Sequence, residues 1–110
     1  MDCLIDLSVI IVTYKSKEYI SRCIQSIREA TQGLTVEIII VENASGDGAA
    51  DIIHIKFPEV IVIENDKNEG FARGVNRGVS IASGRYINIL NPDTQLYPDT
   101  LKILLDFMEK

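Results

Sequence analysis

Leu7-Ser8-Val9-Ile10-Ile11-Val12 is a run of branched apolar residues interrupted by a single serine. A strand with one wet face alternates apolar and polar side chains. A near-continuous apolar run suits a strand covered on both faces, as in a parallel sheet flanked by crossover helices. Comparable runs occupy residues 36–41 and 60–63, and Tyr86-Ile87-Asn88-Ile89-Leu90 is read as a fourth buried strand. The segments between them carry helical spacing. Ser16 is a candidate N-cap, Ile20, Cys23, Ile24 and Ile27 follow on one face, and Gly33 lies past the end. A turn over 43–48 leads into a short helix through Ile52, Ile53 and Lys56, which Pro58 stops. A helix over 71–82 is closed by Gly84, and Pro98 can open a last helix carrying Leu101, Leu104, Leu105 and Met108. Strands alternating with helices in this way require a parallel sheet with right-handed crossovers.

At 110 residues the chain forms one domain, 1–110, with a modest core. Its 46% hydrophobic and 25% charged residues are those of an ordinary globular protein. A net charge of −5 argues against a nucleic-acid surface, which needs clustered Lys and Arg. It still permits one nucleotide, held by a few local donors or a metal ion. Cys3 and Cys23 make no disulfide framework or zinc spacing, and Cys23 falls on the apolar face of a helix. The sole histidine, His54, has no partner spacing and reads as structural or exposed. The acidic start Met1-Asp2-Cys3 does not resemble a signal peptide, and no apolar run approaches the roughly 20 residues of a membrane span. The cytoplasm is the expected compartment.

Three polar clusters follow strands directly: Glu42-Asn43, Asn68-Glu69-Gly70-Phe71 and Asn91-Pro92-Asp93-Thr94. In an open parallel sheet the carboxyl ends of the strands line one edge, where ligands bind. The loop after the first strand, Thr13-Tyr14-Lys15-Ser16, lacks the glycine-rich turn of a dinucleotide fold, and no Walker loop is present. Tyr14 can stack on a nucleobase or simply cover the first helix at the rim. Glu42 and Asn43 can read a base edge or ribose hydroxyl, but the 43–48 segment is equally good turn and cap chemistry. Glycines at 70, 74 and 78 make a bare stripe, beside an apolar stripe of Phe71, Val75, Val79 and Ala82. Glycine inside a helix costs about 1 kcal/mol relative to alanine. Either close packing on the sheet or room for a ligand offsets it. The helix start near Gly70 is a natural anion site. Asp93 is the metal candidate, because Mg2+ or Mn2+ in phosphate chemistry needs only one or two carboxylates besides phosphates and water.

Taken together, Ser8–Tyr14, Val41–Gly48, Asn68–Gly78 and Leu90–Asp93 resemble the family-two glycosyltransferases of the GT-A fold. The block Asn68-Glu69-Gly70-Phe71-Ala72-Arg73-Gly74-Val75-Asn76-Arg77-Gly78, followed by Leu90-Asn91-Pro92-Asp93, is most similar to their rhamnosyltransferase-like branch. The resemblance covers residues 7–97. It implies that Thr13, Tyr14, Glu42 and Asn43 hold the base and ribose of a nucleotide-sugar such as a UDP- or dTDP-sugar. Asn68, Gly70 and Phe71 would flank the nucleotide and its diphosphate. Asn91-Pro92-Asp93 stands where the family has Asp-x-Asp, with Asp93 as ligand of a divalent metal and Asn91 beside the donor. Glu42 replaces the usual aspartate after the second strand, and Asn91 the first aspartate of the metal motif.

The expected architecture is therefore α/β, a doubly wound, mainly parallel sheet ordered 3-2-1-4 with helices on both faces. The expected function is the donor-binding half of an inverting, metal-assisted glycosyltransferase acting in polysaccharide biosynthesis. Its catalytic base and acceptor site are expected in a C-terminal half beyond residue 110, so this chain alone should be inactive. The acceptor would be a glycan or lipid-linked sugar, met in the cytoplasm or at the inner face of the membrane. The competing reading is a non-catalytic nucleotide-binding module or degenerate paralogue. A sugar-nucleotide pyrophosphorylase is disfavoured, because the first loop lacks that family's glycine-rich, basic character.

Overall fold

The structure is a computed structural model that describes residues 4–96 and, beyond them, Ile103, Asp106 and Phe107. In chain order it runs β1 (Leu7–Thr13), α1 (Lys17–Ala30), β2 (Val36–Glu42), α2 (Ala49–Lys56), β3 (Ile61–Glu64), α3 (Phe71–Ile81) and β4 (Tyr86–Leu90). The sheet order is β3-β2-β1-β4 and every pairing is parallel. The expected α/β architecture and strand order are both observed. The helix expected after Pro98, with Leu101, Leu104, Leu105 and Met108, lies outside the described residues, as does Cys3.

β1 is central and buried along its whole length, as its sequence requires. On one face Leu7, Val9, Ile11, Ile38 and Ile40 meet Ile20, Cys23, Ile24 and Ile27 of α1 and Ile53 of α2. On the other face α3 lies over β1 and β2. There the bare stripe has a steric explanation. A Cβ on Gly74 would sit 2.8 Å from Val12 Cγ1, and one on Gly78 2.7 Å from Ile10 Cγ2. Close approach of helix to sheet is what offsets these two glycines.

Two expectations need correction. β4 is not buried on both faces: Ile87 and Ile89 are each 44% exposed. The described residues give β4 a neighbour only on its β1 side, and α3 sits over β1 and β2 rather than over it. The apolar stripe of α3 is likewise only partly used. Val75 and Ala82 pack against Ile10, Val12, Ile39 and Val41, whereas Phe71 and Val79 are exposed. Ser16 does precede α1 but makes no side-chain cap. Its hydroxyl turns back instead to the Tyr14 N–H and C=O, both at 3.3 Å.

Candidate functional site

The parallel register brings the strand ends to one pole. Thr13 pairs with Glu42, Glu42 with Glu64, and Leu90 with Ile11. Thr13, Glu42, Asn65 and Asn91 thus leave the sheet on the same side. Glu42 is buried, and both oxygens of its carboxylate are hydrogen-bonded. It accepts hydrogen bonds from Thr13 Oγ1 (3.3 Å), from the Ser45 N–H (2.9 Å) and from the Ser45 hydroxyl. The Ser45 oxygen in turn accepts from the Lys15 N–H at 2.7 Å. Asp47 spans the same gap, taking the Ala49 N–H at 3.1 Å and the Lys17 N–H at 3.3 Å. The loops after β1 and β2 are therefore stitched together by side chains of the 42–47 turn.

A second network reaches from β2 to α3. Asn43 is 2% exposed, and its Oδ1 accepts from Asn65 Nδ2 (2.7 Å) and from the Glu69 N–H (3.4 Å). Its Nδ2 donates to the Gly70 carbonyl at 3.2 Å. Asn65 Oδ1 accepts from Arg77 Nη1. Asn68 folds over its own turn, with Oδ1 accepting from the Gly70 N–H at 2.9 Å. That turn delivers Gly70 at φ +86°, a conformation natural to glycine, and begins α3.

The same pole holds the two non-glycine residues with left-handed backbone among those described, Lys15 at φ +54° and Ala44 at φ +59°. Such residues store strain and concentrate at functional loops. Here one sits in each of the two stitched loops, and the Lys15 N–H is the group that Ser45 secures.

Beside these loops lies a cavity of about 400 Å3, with Glu42, Ala44, Asp47, Asp51, Glu64 and Asn65 in its wall. Its acidic lining suits hydroxyl donors and repels phosphate. Tyr14, Phe71, Asn91 and Asp93 stand outside that wall, all exposed. The Lys15 ammonium lies 5.4 Å from the Tyr14 ring centroid. Asn91, Pro92 and Asp93 form a turn closed by the Thr94 N–H on the Asn91 carbonyl at 3.0 Å. The Cys23 thiol donates to that carbonyl from below at 3.8 Å. Burial, and secondly the Asp93 carboxylate, push this thiol up to about 11.

No three His, Cys, Asp or Glu among the described residues group as a metal centre. An exposed single carboxylate such as Asp93 nonetheless fits the role of a ligand that a diphosphate and water complete. His54 is exposed, 4.0 Å from Glu64.

The structure unites Thr13, Glu42, Asn43, Asn68 and Gly70 through hydrogen bonds. Tyr14, Phe71, Asn91 and Asp93 remain at the rim, apart from those bonds. Four residues that organise the site are not among the donor or metal contacts expected from the sequence: Ser45 and Asp47, expected only as part of the 43–48 turn, Asn65, expected only at the strand-end edge, and Arg77. Asn65 carried a legible signal, as a polar residue immediately after a strand. Arg77 carried none, since an exposed helical arginine is commonplace.

A family described as Glycosyl transferase family 2 matches this chain over residues 8–110. The succinoglycan biosynthesis protein ExoO of Rhizobium meliloti is 32% identical over 102 residues, 92% of this chain and 29% of its own length. The abequosyltransferase RfbV of Salmonella typhimurium is 35% identical over 109 residues, 94% of this chain and 32% of its own. The chain spans about a third of the length of these curated relatives. Among solved structures, residues 1–349 of S. aureus TarS in complex with UDP-GlcNAc match with a TM-score of 0.84 at 22% identity. That match covers 96% of this chain and 31% of TarS 1–349, and it shows a shared fold.

Proposed function

The chain belongs to glycosyl transferase family 2, and from that premise we propose that it is the donor-binding part of an inverting glycosyltransferase that uses a nucleotide-diphosphate sugar. One observation carries the reading. The carboxyl ends of β1, β2 and β3 and the start of α3 are tied by Thr13, Glu42, Asn43 and Asn65 into one rigid rim beside a cavity. The acidic cavity accommodates the hydroxyl-rich ribose and base, and Tyr14 offers a face for stacking. The diphosphate lies away from that acidity, toward Gly70 and Asp93. UDP and UDP-GlcNAc complexes of TarS support a uridine or related donor. The similarity of the 68–78 block favours the rhamnosyltransferase-like branch and a hexosyl or deoxyhexosyl donor.

Asp93, with Asn91 beside it, would hold Mg2+ or Mn2+, which when bound neutralises charge on the departing nucleoside diphosphate. The chain's own residues bind and orient the donor. A carboxylate base that removes the acceptor proton lies outside these 110 residues in our reading, as does the acceptor site. Orientation accounts for about 7–11 kcal/mol of a bimolecular barrier, so the 110-residue chain binds donor and transfers no sugar at a useful rate. We place the protein in the cytoplasm or at the inner membrane face, working on a glycan or lipid-linked acceptor. Among the described residues no helix is long and apolar enough to cross a membrane.

The test is a thermal-shift series with UDP, dTDP and their sugars, with Mn2+ and with EDTA. Nucleoside diphosphate should stabilise the chain, more so with Mn2+, and Asp93→Ala should abolish only the Mn2+ increment. Stabilisation indifferent to metal would favour the non-catalytic module, and robust sugar transfer by the purified chain would overturn the assignment of the base.

A further inference from the structure

The polar chain behind the rim has a polarity imposed from both ends. A guanidinium carries N–H donors and no acceptor, so the bond from Arg77 turns the Asn65 amide oxygen toward α3. Asn65 Nδ2 must then face inward, where it donates to Asn43 Oδ1. At the other end the Glu69 N–H can only donate and the Gly70 carbonyl can only accept. These demand the same Asn43 orientation that Arg77 sets through Asn65. With Asn43 2% and Asn65 6% exposed, the bond between the two amides is shielded from water and costly to break. The Asn43 oxygen takes two donors, its nitrogen is bonded to the Gly70 carbonyl, and the residue is not part of the cavity wall.

We propose that Arg77, Asn65 and Asn43 are positioning residues: a relay that fixes the Glu69 N–H and the Gly70 carbonyl and hence the entry to α3. Asn43 serves the donor through this loop and does not contact it. The relay connects an exposed cation on the second turn of α3 to the end of β2, across 34 positions of sequence. It rests on the donor-site reading above, in which residues 68–71 flank the diphosphate. Both asparagines matter as amides. An aspartate at 65 keeps the Arg77 partner but sets an oxygen against Asn43 Oδ1. Asn43 must then rotate, and its bonds to Glu69 and Gly70 are lost together.

The experiment measures amide hydrogen exchange by NMR and UDP affinity with Mn2+ on the wild-type chain, Arg77→Met, Arg77→Lys and Asn65→Asp. Arg77→Met should speed exchange at Glu69 by about tenfold, the equivalent of one lost hydrogen bond. Asn65→Asp should do more, and Arg77→Lys, which keeps a donor, should recover most of the protection. Amides of Ile10 and Ile11 in the core should not change, which separates loop positioning from general destabilisation. UDP affinity should fall about tenfold in Arg77→Met and recover in Arg77→Lys. Unchanged Glu69 exchange in Arg77→Met overturns the relay. Faster exchange with undiminished UDP affinity overturns its role in donor binding. A wild-type chain that binds no UDP overturns the donor reading, while the exchange data still decide whether Arg77 sets the loop. Should Asn65→Asp fail to fold, the exposed Arg77 variants carry the test.

Discussion

The β1–β2 pair ends at both poles in the same device, a hydroxyl residue registered against a glutamate. Ser8 pairs with Glu37 at one pole and Thr13 with Glu42 at the other. Glu37 accepts from the Ser8 hydroxyl (2.5 Å), the Ser83 N–H (2.6 Å) and the Ser83 hydroxyl, while Ser8 Oγ accepts from the Gly84 N–H at 2.8 Å. Glu42 collects a nearly identical set from Thr13 and Ser45. The surroundings differ. The Glu37 pole pins the α3–β4 turn onto the strands, and beside it lies a cavity of about 280 Å3 walled by Arg28, Thr31, Leu34, Val36, Glu37, Ile38 and Glu59. The Glu42 pole opens on a cavity of about 400 Å3 with Asp47, Asp51 and Glu64 in its wall, and it holds Lys15 and Ala44 at positive φ, whereas the positive φ near the Glu37 pole falls on Gly33. A hydroxyl–carboxylate pair is thus a staple in either place. What sets the candidate site apart is the acidic wall and the backbone strain around the staple, not the staple.

The largest effect should come from the Glu37 pole. A Cβ on Gly84 would lie 2.5 Å from the Ser8 backbone nitrogen and 2.8 Å from the Leu7 carbonyl carbon. Backbone in a central strand cannot yield, so Gly84→Ala should cost about 3 kcal/mol in urea unfolding. A loss below about 1 kcal/mol would mean this pole is looser than described.

Next is the Glu42 pole. Asn43→Ala strands the Asn65 amide and the Glu69 N–H in a buried setting and should cost about 2 kcal/mol. A near-neutral result would show the site pole to be dispensable for stability, and would sharpen the contrast.

A pH series probes the staple itself. Burial pushes the Glu37 carboxyl up, but hydrogen bonds from Ser8, Ser83 and Gly84 outweigh it and hold it below its ordinary value of 4.5. A depressed carboxyl stabilises the fold fully above its unfolded value and loses that contribution as pH falls through the folded one. Thermal midpoints taken from pH 7 down to pH 3 should therefore drop more steeply for the wild type than for Glu37→Gln. Parallel curves would remove Glu37 from the acid limb.

The smallest expected change tests strain. Ala44 occupies φ +59°, where glycine has no penalty, so Ala44→Gly should stabilise by about 0.5–1 kcal/mol after its larger unfolded-state entropy is counted. Destabilisation in chemical melts would mean that this loop is not strained.

The 7–12 and 36–41 runs revealed central, doubly covered strands because no other environment tolerates so many adjacent branched side chains. The 86–90 run looked alike and proved to be an edge strand with Ile87 and Ile89 half exposed among the described residues. Composition records what a strand could bury, whereas its place in the sheet decides what it does bury. The site followed the same division. Strand-end polarity marked Glu42, Asn43, Asn68, Gly70 and Asp93, and the resemblance added a donor role for Thr13. It did not show that Glu42 and Asn43 turn their polar atoms into the protein.

Sequence by itself determined the element order and the parallel α/β class, because periodicity is a local property; strand-end chemistry marked the candidate pole, and the resemblance of its motifs pointed to the family. Only the tertiary structure decided which polar groups face the cavity and which are consumed by neighbours. Hydrogen bonds such as Asn43 to Gly70 or Arg77 to Asn65 join residues from different elements, and a directional bond requires both partners to be placed before it can form.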